Sequence, residues 1–393
     1  MARPLCARMN VAAMRANLQT LRLPLQPRQC WAVVKANAYG HGLKAAVKGF
    51  SAADGLALIE PESAFALREQ GWPKRLLLME GVFEASELRA CAQFNVDPVI
   101  HSAWQLDLLR HRDHRASVQQ SKLRIWIKFN SGMNRLGFPV QSGLELIEQL
   151  RLEGFQLGAI AHFSSADAEQ GDPVSELAVL NLFNAIKRID PAIPCSFANS
   201  AASHRLIQSM TAGRSTLRPD LPEQLGADWL RFGIALYGAS AFDGLDAHTL
   251  GLRPAMSLES KVIAIQRIES GDRVGYAGRF VAQRPSRIAV VAAGYADGYP
   301  RHAPDGTPLW IAGVICPLAG RVSMDMMTVD VTDCPEADVG TKVELWGEHL
   351  PVDQVASAAG TIAYQLLSGL TSRVKTEILD LTGELNQSKS SQV

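Results

Sequence analysis

The sequence predicts an α/β protein, with an N-terminal (β/α)8 barrel over residues 1–252 followed by a mostly β domain over residues 253–385. Three observations carry this reading. Short apolar runs alternate with amphipathic segments through the first two-thirds of the chain, the rhythm of a parallel sheet wrapped in helices. From about Arg253 the segments become short and β-branched, with turn signals between them. At 393 residues the chain also exceeds one ordinary domain, so the change of texture reads as a domain boundary.

The barrel elements come in chain order. Residues 31–34 form an apolar run suited to a buried strand, and residues 42–50 behind it have helical spacing. Residues 56–59 repeat the strand and 61–70 the helix. Pro61 falls at the helix start, where its missing N–H costs nothing, and Gly71 just past the end. Residues 76–79, 123–130, 157–162 and 195–199 continue the series. In 123–130, Leu123, Ile125, Ile127 and Phe129 share one face while Arg124, Trp126, Lys128 and Asn130 share the other. The apolar face of a barrel strand meets the helices, so Trp126 and Lys128 turn inward, and a lysine there needs a partner. Roughly 240 residues of such alternation suit eight βα units.

In the second domain, residues 261–268, 288–293, 309–312, 327–331 and 342–346 read as strands. The pairs Gly271-Asp272, Asp297-Gly298 and Asp305-Gly306 supply turns between them. The polar, Ser-rich residues 386–393 read as a disordered tail, and the Pro-rich stretch 209–227 as a surface insertion.

Composition narrows the function. Lys+Arg and Asp+Glu both number 39, which leaves no electrostatic footprint for nucleic acid or an anionic membrane. The start of the chain has no apolar segment of the kind a secretory signal needs, and the longest apolar stretches, such as 288–294, are far short of a membrane span. The six cysteines are scattered with no CxxC pair, against a disulfide framework or a zinc knuckle. A cytoplasmic protein with reduced thiols, no metal, no nucleic-acid partner and no membrane partner is the expectation.

Three positions carry chemistry by placement. Lys35 ends an apolar strand and precedes a Gly-containing loop, and in a barrel that end of the strand faces the active site. An apolar setting lowers a lysine's pKa and frees its amine to form a Schiff base, although on position alone an exposed loop lysine is the commoner meaning. Ser200 follows a strand and opens a helical pattern, where a serine serves as N-cap and where phosphate also binds. His162 stands at a strand end, where a satisfied core histidine is the commoner meaning.

Specific strings sharpen these readings. Val34-Lys35-Ala-Asn-Ala-Tyr39-Gly-His-Gly42 resembles the pyridoxal-phosphate attachment signature of alanine racemases, and the resemblance continues through nearly the whole chain. It implies that Lys35 carries pyridoxal 5'-phosphate as a Schiff base and that Tyr39 hydrogen-bonds the phosphate. Lys128-Phe-Asn-Ser-Gly-Met-Asn-Arg135-Leu-Gly resembles the family's segment around its substrate-side arginine. Arg135 would then sit by the cofactor's phenolic oxygen and the substrate carboxylate. Lys128 matches a position often carbamylated, a change that turns a cation into an anion able to pair with Arg135. The family usually has Asp-Thr where this chain has Asn130-Ser131.

The resemblance also implies that His162 sits beside the pyridine ring and Ser200 on the phosphate. Arg231-Phe-Gly-Ile-Ala-Leu-Tyr-Gly238 resembles the segment that offers backbone N–H groups, here Gly233 and Ile234, to the phosphate. Arg231 would face the pyridine nitrogen. An arginine accepts no proton, so the ring nitrogen stays unprotonated, the electron sink is weakened and transamination is suppressed.

Racemisation needs a base on each face of the Cα plane. Lys35 supplies one, and Asp272-Arg-Val-Gly-Tyr276-Ala-Gly resembles the family segment bearing the second, Tyr276. A phenol titrates near ~10 in water and needs help to act near neutrality. In the family that help runs through a hydrogen-bond chain, here Tyr276 to His162 to Arg231. There the tyrosine comes from the partner subunit, which implies an obligate homodimer with shared sites. Residues 294–299 resemble the segment lining the substrate entrance. Met324 resembles the residue whose backbone N–H meets the substrate carboxylate, and Tyr364 the second phosphate tyrosine, which also crowds the side-chain pocket.

The implied activity is interconversion of L- and D-alanine, either supplying D-alanine for peptidoglycan or degrading it. Alternatives are a racemase for another small amino acid such as serine, and a non-catalytic pyridoxal-phosphate carrier built on the barrel alone. An amino-acid decarboxylase of the same barrel class is a further rival, expected to carry its own glycine-rich phosphate motif and a β-domain cysteine.

Overall fold

The computed structural model of the chain describes residues 3–168, 173–211 and 223–380. The tail at 386–393 and most of the 209–227 insertion lie outside the described residues.

The first strand, β1 (Cys6–Asn10), is followed by eight parallel strands in barrel order. These are β2 (Gln29–Val33), β3 (Gly55–Leu58), β4 (Arg75–Leu78), β5 (Asp97–Ile100), β6 (Ile125–Lys128), β7 (Leu157–Ile160), β8 (Cys195–Ser196) and β9 (Trp229–Phe232). The sheet runs β8-β7-β6-β5-β4-β3-β2-β9. It closes where Asp228 N–H donates to the Cys195 carbonyl (3.1 Å) and Arg231 N–H to that of Ala198 (2.9 Å). Helices between the strands bury one apolar stripe each; Pro61–Glu69, for example, starts on its proline and turns Ala64 and Leu67 inward.

As the alternation in 123–130 requires, Trp126 points into the barrel. There it meets Trp31 and Trp229 edge-on at 6.0 and 6.4 Å, while those two rings stack on each other at 4.2 Å. Gly55 and Gly158 make room for them: a Cβ would come within 2.2 Å of the Trp31 ring and 2.7 Å of the Trp126 ring. Three indoles thus fill the barrel interior and leave polar side chains to the ends of the strands.

Two barrel strands escape the sequence pattern. β5 opens on Asp97-Pro98, which carries turn chemistry, yet Asp97 is buried. It takes a salt bridge from Arg75 (2.7 Å) and the N–H of Arg124 (2.8 Å), so its charge is paired rather than exposed. β9 lies inside a string that stands out for its arginine and glycines rather than for alternation.

The second domain holds β10 (Met256–Ile268), β11 (Arg273–Val274), β12 (Phe280–Val281), β13 (Ser286–Val291), β14 (Pro308–Ile311), β15 (Val314–Pro317), β16 (Met327–Asp330), β17 (Lys342–Trp346) and β18 (Lys375–Leu379). Its main sheet runs β15-β14-β17-β10-β1-β18, with β13 joining β10 to β16, and β11 and β12 form a separate hairpin. The expectation that residues 1–252 all belong to the barrel needs correcting here. β1 pairs antiparallel with β10 and parallel with β18, so the first strand is part of the second domain's sheet. The domains also meet at Gly40, where a Cβ would stand 2.0 Å from the Leu367 carbonyl oxygen; only glycine, at φ +78°, fits that approach.

Candidate active site

A cavity of about 430 Å³ opens at the C-terminal ends of the barrel strands. Ten of the residues singled out from sequence line it: Lys35, Tyr39, Lys128, Arg135, His162, Ser200, Arg231, Gly233, Ile234 and Tyr364.

Lys35 stands just past the end of β2, and the backbone beyond it is unusual. Ala36, Asn37, Ala38 and Tyr39 all take left-handed conformations, with φ of 52°, 50°, 56° and 51°. Each L-residue there costs roughly 1–2 kcal/mol, so the turn persists only because its surroundings hold it. Ala38 N–H donates to the Val34 carbonyl (2.9 Å), Gly42 N–H to that of Asn37 (2.9 Å), and Ala36 N–H to Glu60 Oε1 (3.1 Å). From inside, His41 Nδ1 bonds the carbonyls of Tyr39 (2.9 Å) and Ala38 (3.1 Å). Both acceptors are carbonyls, so Nδ1 carries the proton. Burial, and then the neighbouring Arg135, hold the Lys35 amine below its ordinary pKa.

The turn aims Tyr39 at a polar cradle. The helix Ser200–Thr211 begins there, but Ser200 is not its cap. Asn199 Oδ1 accepts the Ala202 N–H (3.0 Å) and takes that role. The N-cap expectation for Ser200 is therefore corrected by one residue, and the serine hydroxyl is left beside the cavity, accepting the Gly233 N–H at 2.8 Å. A Cβ on Gly233 would lie 2.7 Å from the Tyr39 hydroxyl and 3.7 Å from Ser200 Oγ, so the missing side chain is what lets these groups converge. A short 3-10 turn, Ile234–Tyr237, starts at the same place, so two helical N-termini face one spot, an arrangement that favours an anion. Tyr364, from the helix Ala363–Ser368, leans over Tyr39 with ring centroids 6.0 Å apart, and burial pushes its hydroxyl up to about 12.

Deeper in the cavity, Arg231 is buried and both of its terminal nitrogens are engaged by acceptors. Its guanidinium donates to the carbonyls of Ser196 (2.6 Å), Ala161 (2.6 Å) and Phe197 (3.0 Å), and to Ser196 Oγ (2.8 Å). It also donates to His162 Nδ1 at 3.3 Å. Burial pulls it down to about 9, which leaves it a cation at neutral pH. Burial, and then the charge of Arg231, push His162 down to about 3.

Lys128 turns inward as its strand phase requires, and burial followed by the charges of Arg231 and Arg135 lowers it to about 8. The loop after it accommodates Asn130-Ser131 without loss. Asn130 Oδ1 accepts from Gly132 N–H (3.2 Å) and Asn134 N–H (3.0 Å), bonds a carboxylate would accept. Ser131 Oγ donates to the His162 carbonyl (2.9 Å), as a threonine would.

Lys35, Lys128, Arg135 and Arg231 make the cavity strongly cationic, with Glu80 and Asp167 as the acidic residues on its wall. Such a site suits a ligand with a phosphate and a carboxylate. Glu80, Asp167 and Asn199 were not among the sequence candidates. Glu80 follows β4 just as Lys35 follows β2, so strand-end placement is the signal that points to it.

Tyr276 and Met324 do not reach this cavity within one chain. Tyr276 lies at the tip of the β11–β12 hairpin and is 68% exposed, and Met324 is 52% exposed. Their loops touch each other: a Cβ on Gly320 would lie 2.9 Å from the Val274 carbonyl oxygen.

Comparison with known proteins adds family. Residues 9–241 match the model of the alanine racemase N-terminal domain, and residues 255–378 that of the alanine racemase C-terminal domain. The chain is 45% identical over 379 residues to an alanine racemase of Janthinobacterium sp. (strain Marseille), covering 95% of this chain and 99% of the relative. Its fold matches the crystal structure of a biosynthetic alanine racemase from Pseudomonas aeruginosa, with a TM-score of 0.86, 41% identity, and coverage of 96% of this chain and 100% of the other. It also matches an alanine racemase from Bartonella henselae with covalently bound pyridoxal phosphate, with a TM-score of 0.80, 27% identity, and coverage of 96% and 99%.

Proposed function

The chain belongs to the alanine racemase family and interconverts L- and D-alanine, and we propose that it does so with pyridoxal 5'-phosphate held between Lys35 and the Tyr39–Ser200–Gly233 cradle. The observation that carries the cofactor reading is the cradle itself: two hydroxyls and two helical N-termini meet where a Cβ on residue 233 would stand, in the same cavity as an amine of lowered pKa. The residues present fit the group. Tyr39, Ser200, Ile234 and Tyr364 would hold the phosphate, Gly233 keeps Ser200 in place, and Lys35 would hold the aldehyde carbon.

When bound, pyridoxal phosphate supplies an electron sink that acidifies the Cα–H of an amino acid. The remaining tasks belong to the protein. Arg231 only donates, so it would leave a ring nitrogen facing it unprotonated and limit the sink, which would favour return of the proton to Cα. Arg135, on the cavity wall, would offer a cation to the substrate carboxylate, and Lys35, once free, would carry a proton to or from one face of Cα.

We assign the opposite face to Tyr276 of a second copy, with the Met324 backbone near the carboxylate. Two surfaces support a homodimer with shared sites: the exposed Tyr276 and Met324 on the second domain, and the exposed Met133 and Tyr364 at the cavity mouth. Arg231 donates to His162 Nδ1, so the other ring nitrogen carries the proton and is a donor toward an incoming phenol oxygen. A donor there stabilises the phenolate, which suits a base. A carrier built on the barrel alone leaves residues 255–378 without a task.

Lys128 is the candidate for carbamylation, since a lowered pKa leaves more free amine to react with carbon dioxide. The six cysteines, all buried and unpaired, support a reducing, cytoplasmic setting. No helix among the described residues is long and apolar enough to cross a membrane.

The test uses purified protein: absorbance near the band of the lysine-bound cofactor, then Cα–H exchange in D2O with each alanine enantiomer separately. A yellow protein that exchanges and interconverts both enantiomers is expected. A colourless protein that cannot be reconstituted would sink the cofactor assignment at Lys35.

A further inference from the structure

Tyr237 is buried behind the cavity wall and touches residues at both ends of the site, Val33 and Tyr39. It ends the 3-10 turn Ile234–Tyr237, whose first residue contributes to the phosphate cradle. Its hydroxyl donates to the Val33 carbonyl at 2.8 Å. That carbonyl lies at the end of β2, two residues before Lys35, and the pairing of β2 with β9 has already stopped at Ala32 and Phe232. Tyr237 therefore holds the β9 side of the strand end, where that ladder has stopped, while β3 still pairs on the other side through Val33 and Ala57. Its ring stacks on Tyr39 with centroids 4.8 Å apart at 30°, meets His41 at 4.6 Å with a tilt of 36°, and meets Phe50 edge-on at 5.5 Å. His41 in turn bonds the left-handed turn that carries Tyr39.

We propose that Tyr237 is a positioning residue that couples the lysine end of the site to the phosphate end, with its hydroxyl on the Val33 carbonyl fixing Lys35 and its ring fixing Tyr39. The proposal rests on the reading that pyridoxal phosphate binds here. The physical reason is that a strained left-handed turn joins the two anchors, so neither anchor is rigid by its own backbone preference. One aromatic residue bonded to the strand before the turn and packed on the residue at its end holds the two at a fixed separation. A cofactor attached at both ends is sensitive to that separation.

The experiment compares apoprotein of wild type, Tyr237→Phe and Phe50→Leu. Phe50 meets the same ring edge-on and has no ring contact or hydrogen bond to Lys35 or Tyr39, so Phe50→Leu reports core loosening. Each protein is titrated with pyridoxal phosphate and followed by absorbance and by the circular dichroism of the bound cofactor. Tm, kcat and KM for alanine are then measured. Tyr237→Phe is expected to weaken cofactor binding about tenfold, the loss typical of one buried hydrogen bond. It should also reduce the cofactor dichroism and lower kcat with little change in KM. Phe50→Leu should lower Tm and leave cofactor affinity and dichroism near wild type. Wild-type affinity and dichroism in Tyr237→Phe, or equal weakening in both variants, would overturn the proposal. If Tyr237→Phe does not fold, 3-fluorotyrosine at position 237 keeps the aromatic ring and the hydroxyl, adds one small ring substituent and makes the hydroxyl a stronger donor. A changed cofactor dichroism then supports the coupling, and an unchanged one overturns it. A wild-type protein that takes up no pyridoxal phosphate would instead overturn the cofactor reading, and this proposal with it.

Discussion

Arg231 gives His162 a hydrogen bond that it cannot take back: Nη2 lies 3.3 Å from Nδ1, and a guanidinium has donors but no acceptor. This contact favours Nδ1 as the bare nitrogen, although it is the longest of three that Nη2 makes, after the Ala161 and Phe197 carbonyls. His162 is then the tautomer with its proton on Nε2, and burial beside a cation keeps the ring neutral, down to about 3. In 15N-histidine-labelled protein, the resonances of His162 should show a neutral, Nε2-protonated ring from pH 5 to 8. A midpoint near its ordinary value would refute this.

Stability should fall on mild acidification. His41 and His204 are each pushed down to about 4 by burial, and His162 to about 3. In the unfolded chain they titrate near ~6.5, so below that pH the unfolded state binds more protons and gains on the folded one. Asp353, raised by burial to about 6, and Asp97, also raised by burial, act in the opposite direction over part of this range. The net slope is a loss on the order of 1 kcal/mol per pH unit below about pH 6. Urea unfolding at pH 7.5, 6.0 and 5.0 measures it; a flat profile would contradict the buried-neutral assignment.

Lys35→Ala and Tyr276→Phe should each lose activity by roughly 10²–10⁴-fold or more. Lys35→Ala should also lose the cofactor band, whereas Tyr276→Phe keeps it and exchanges the Cα–H of one enantiomer far more slowly than that of the other. Mixed under conditions that allow subunit exchange, the two inactive variants should recover about a quarter of wild-type activity, because half the dimers are mixed and each has one intact site. No recovery from a mixture shown to contain mixed dimers would place both residues in one chain's site.

Gly233→Ala should act on the cofactor rather than on folding. The new Cβ falls 2.7 Å from the Tyr39 hydroxyl and displaces it from the cradle. A displacement near 1 Å can cost as much as about a hundredfold, so pyridoxal-phosphate affinity should drop by one to two orders of magnitude with little change in Tm. Equilibrium titration of apoprotein tests this, and wild-type affinity would remove Gly233 from the cradle.

Lys128 should take up carbon dioxide. With its amine lowered to about 8, protein equilibrated with 13C-bicarbonate should give a carbamate resonance that is missing from Lys128→Gln. If Lys128 stays an ammonium, no such resonance appears. In that case folded-state stability should rise between about pH 8 and 10.5, because the unfolded chain holds the proton longer.

Much of this site is legible in the sequence, because a barrel gathers its strand ends. Lys35, Lys128, His162 and Arg231 all stand at or near such ends, and alternation in 123–130 is enough to turn Lys128 inward. Other features leave weaker traces. The left-handed turn is built from Ala, Asn and Tyr, residues with no preference for it, so Gly40 and Gly42 are its only local sign. Ser200 and Asn199 are equally good caps by type, and only the Gly233 N–H decides between them. Glu80 sits in no recognisable string. Tyr276 and Met324 stand out by their strings, and the single chain keeps them outside the cavity they are expected to serve.

The placement of β1 has a consequence for biosynthesis. β1 is made before all the other strands described and lies between β10 and β18, so it must wait for a long stretch of chain before either neighbour exists. The barrel strands face no such delay, since each of β3 to β8 pairs with the strand before it. A nascent chain can thus carry a largely assembled barrel with a loose leading strand, which is a free edge open to foreign pairing. Emergence of β18 closes that edge. A chain stopped before β18 would keep the barrel and most of the cavity yet remain prone to aggregation.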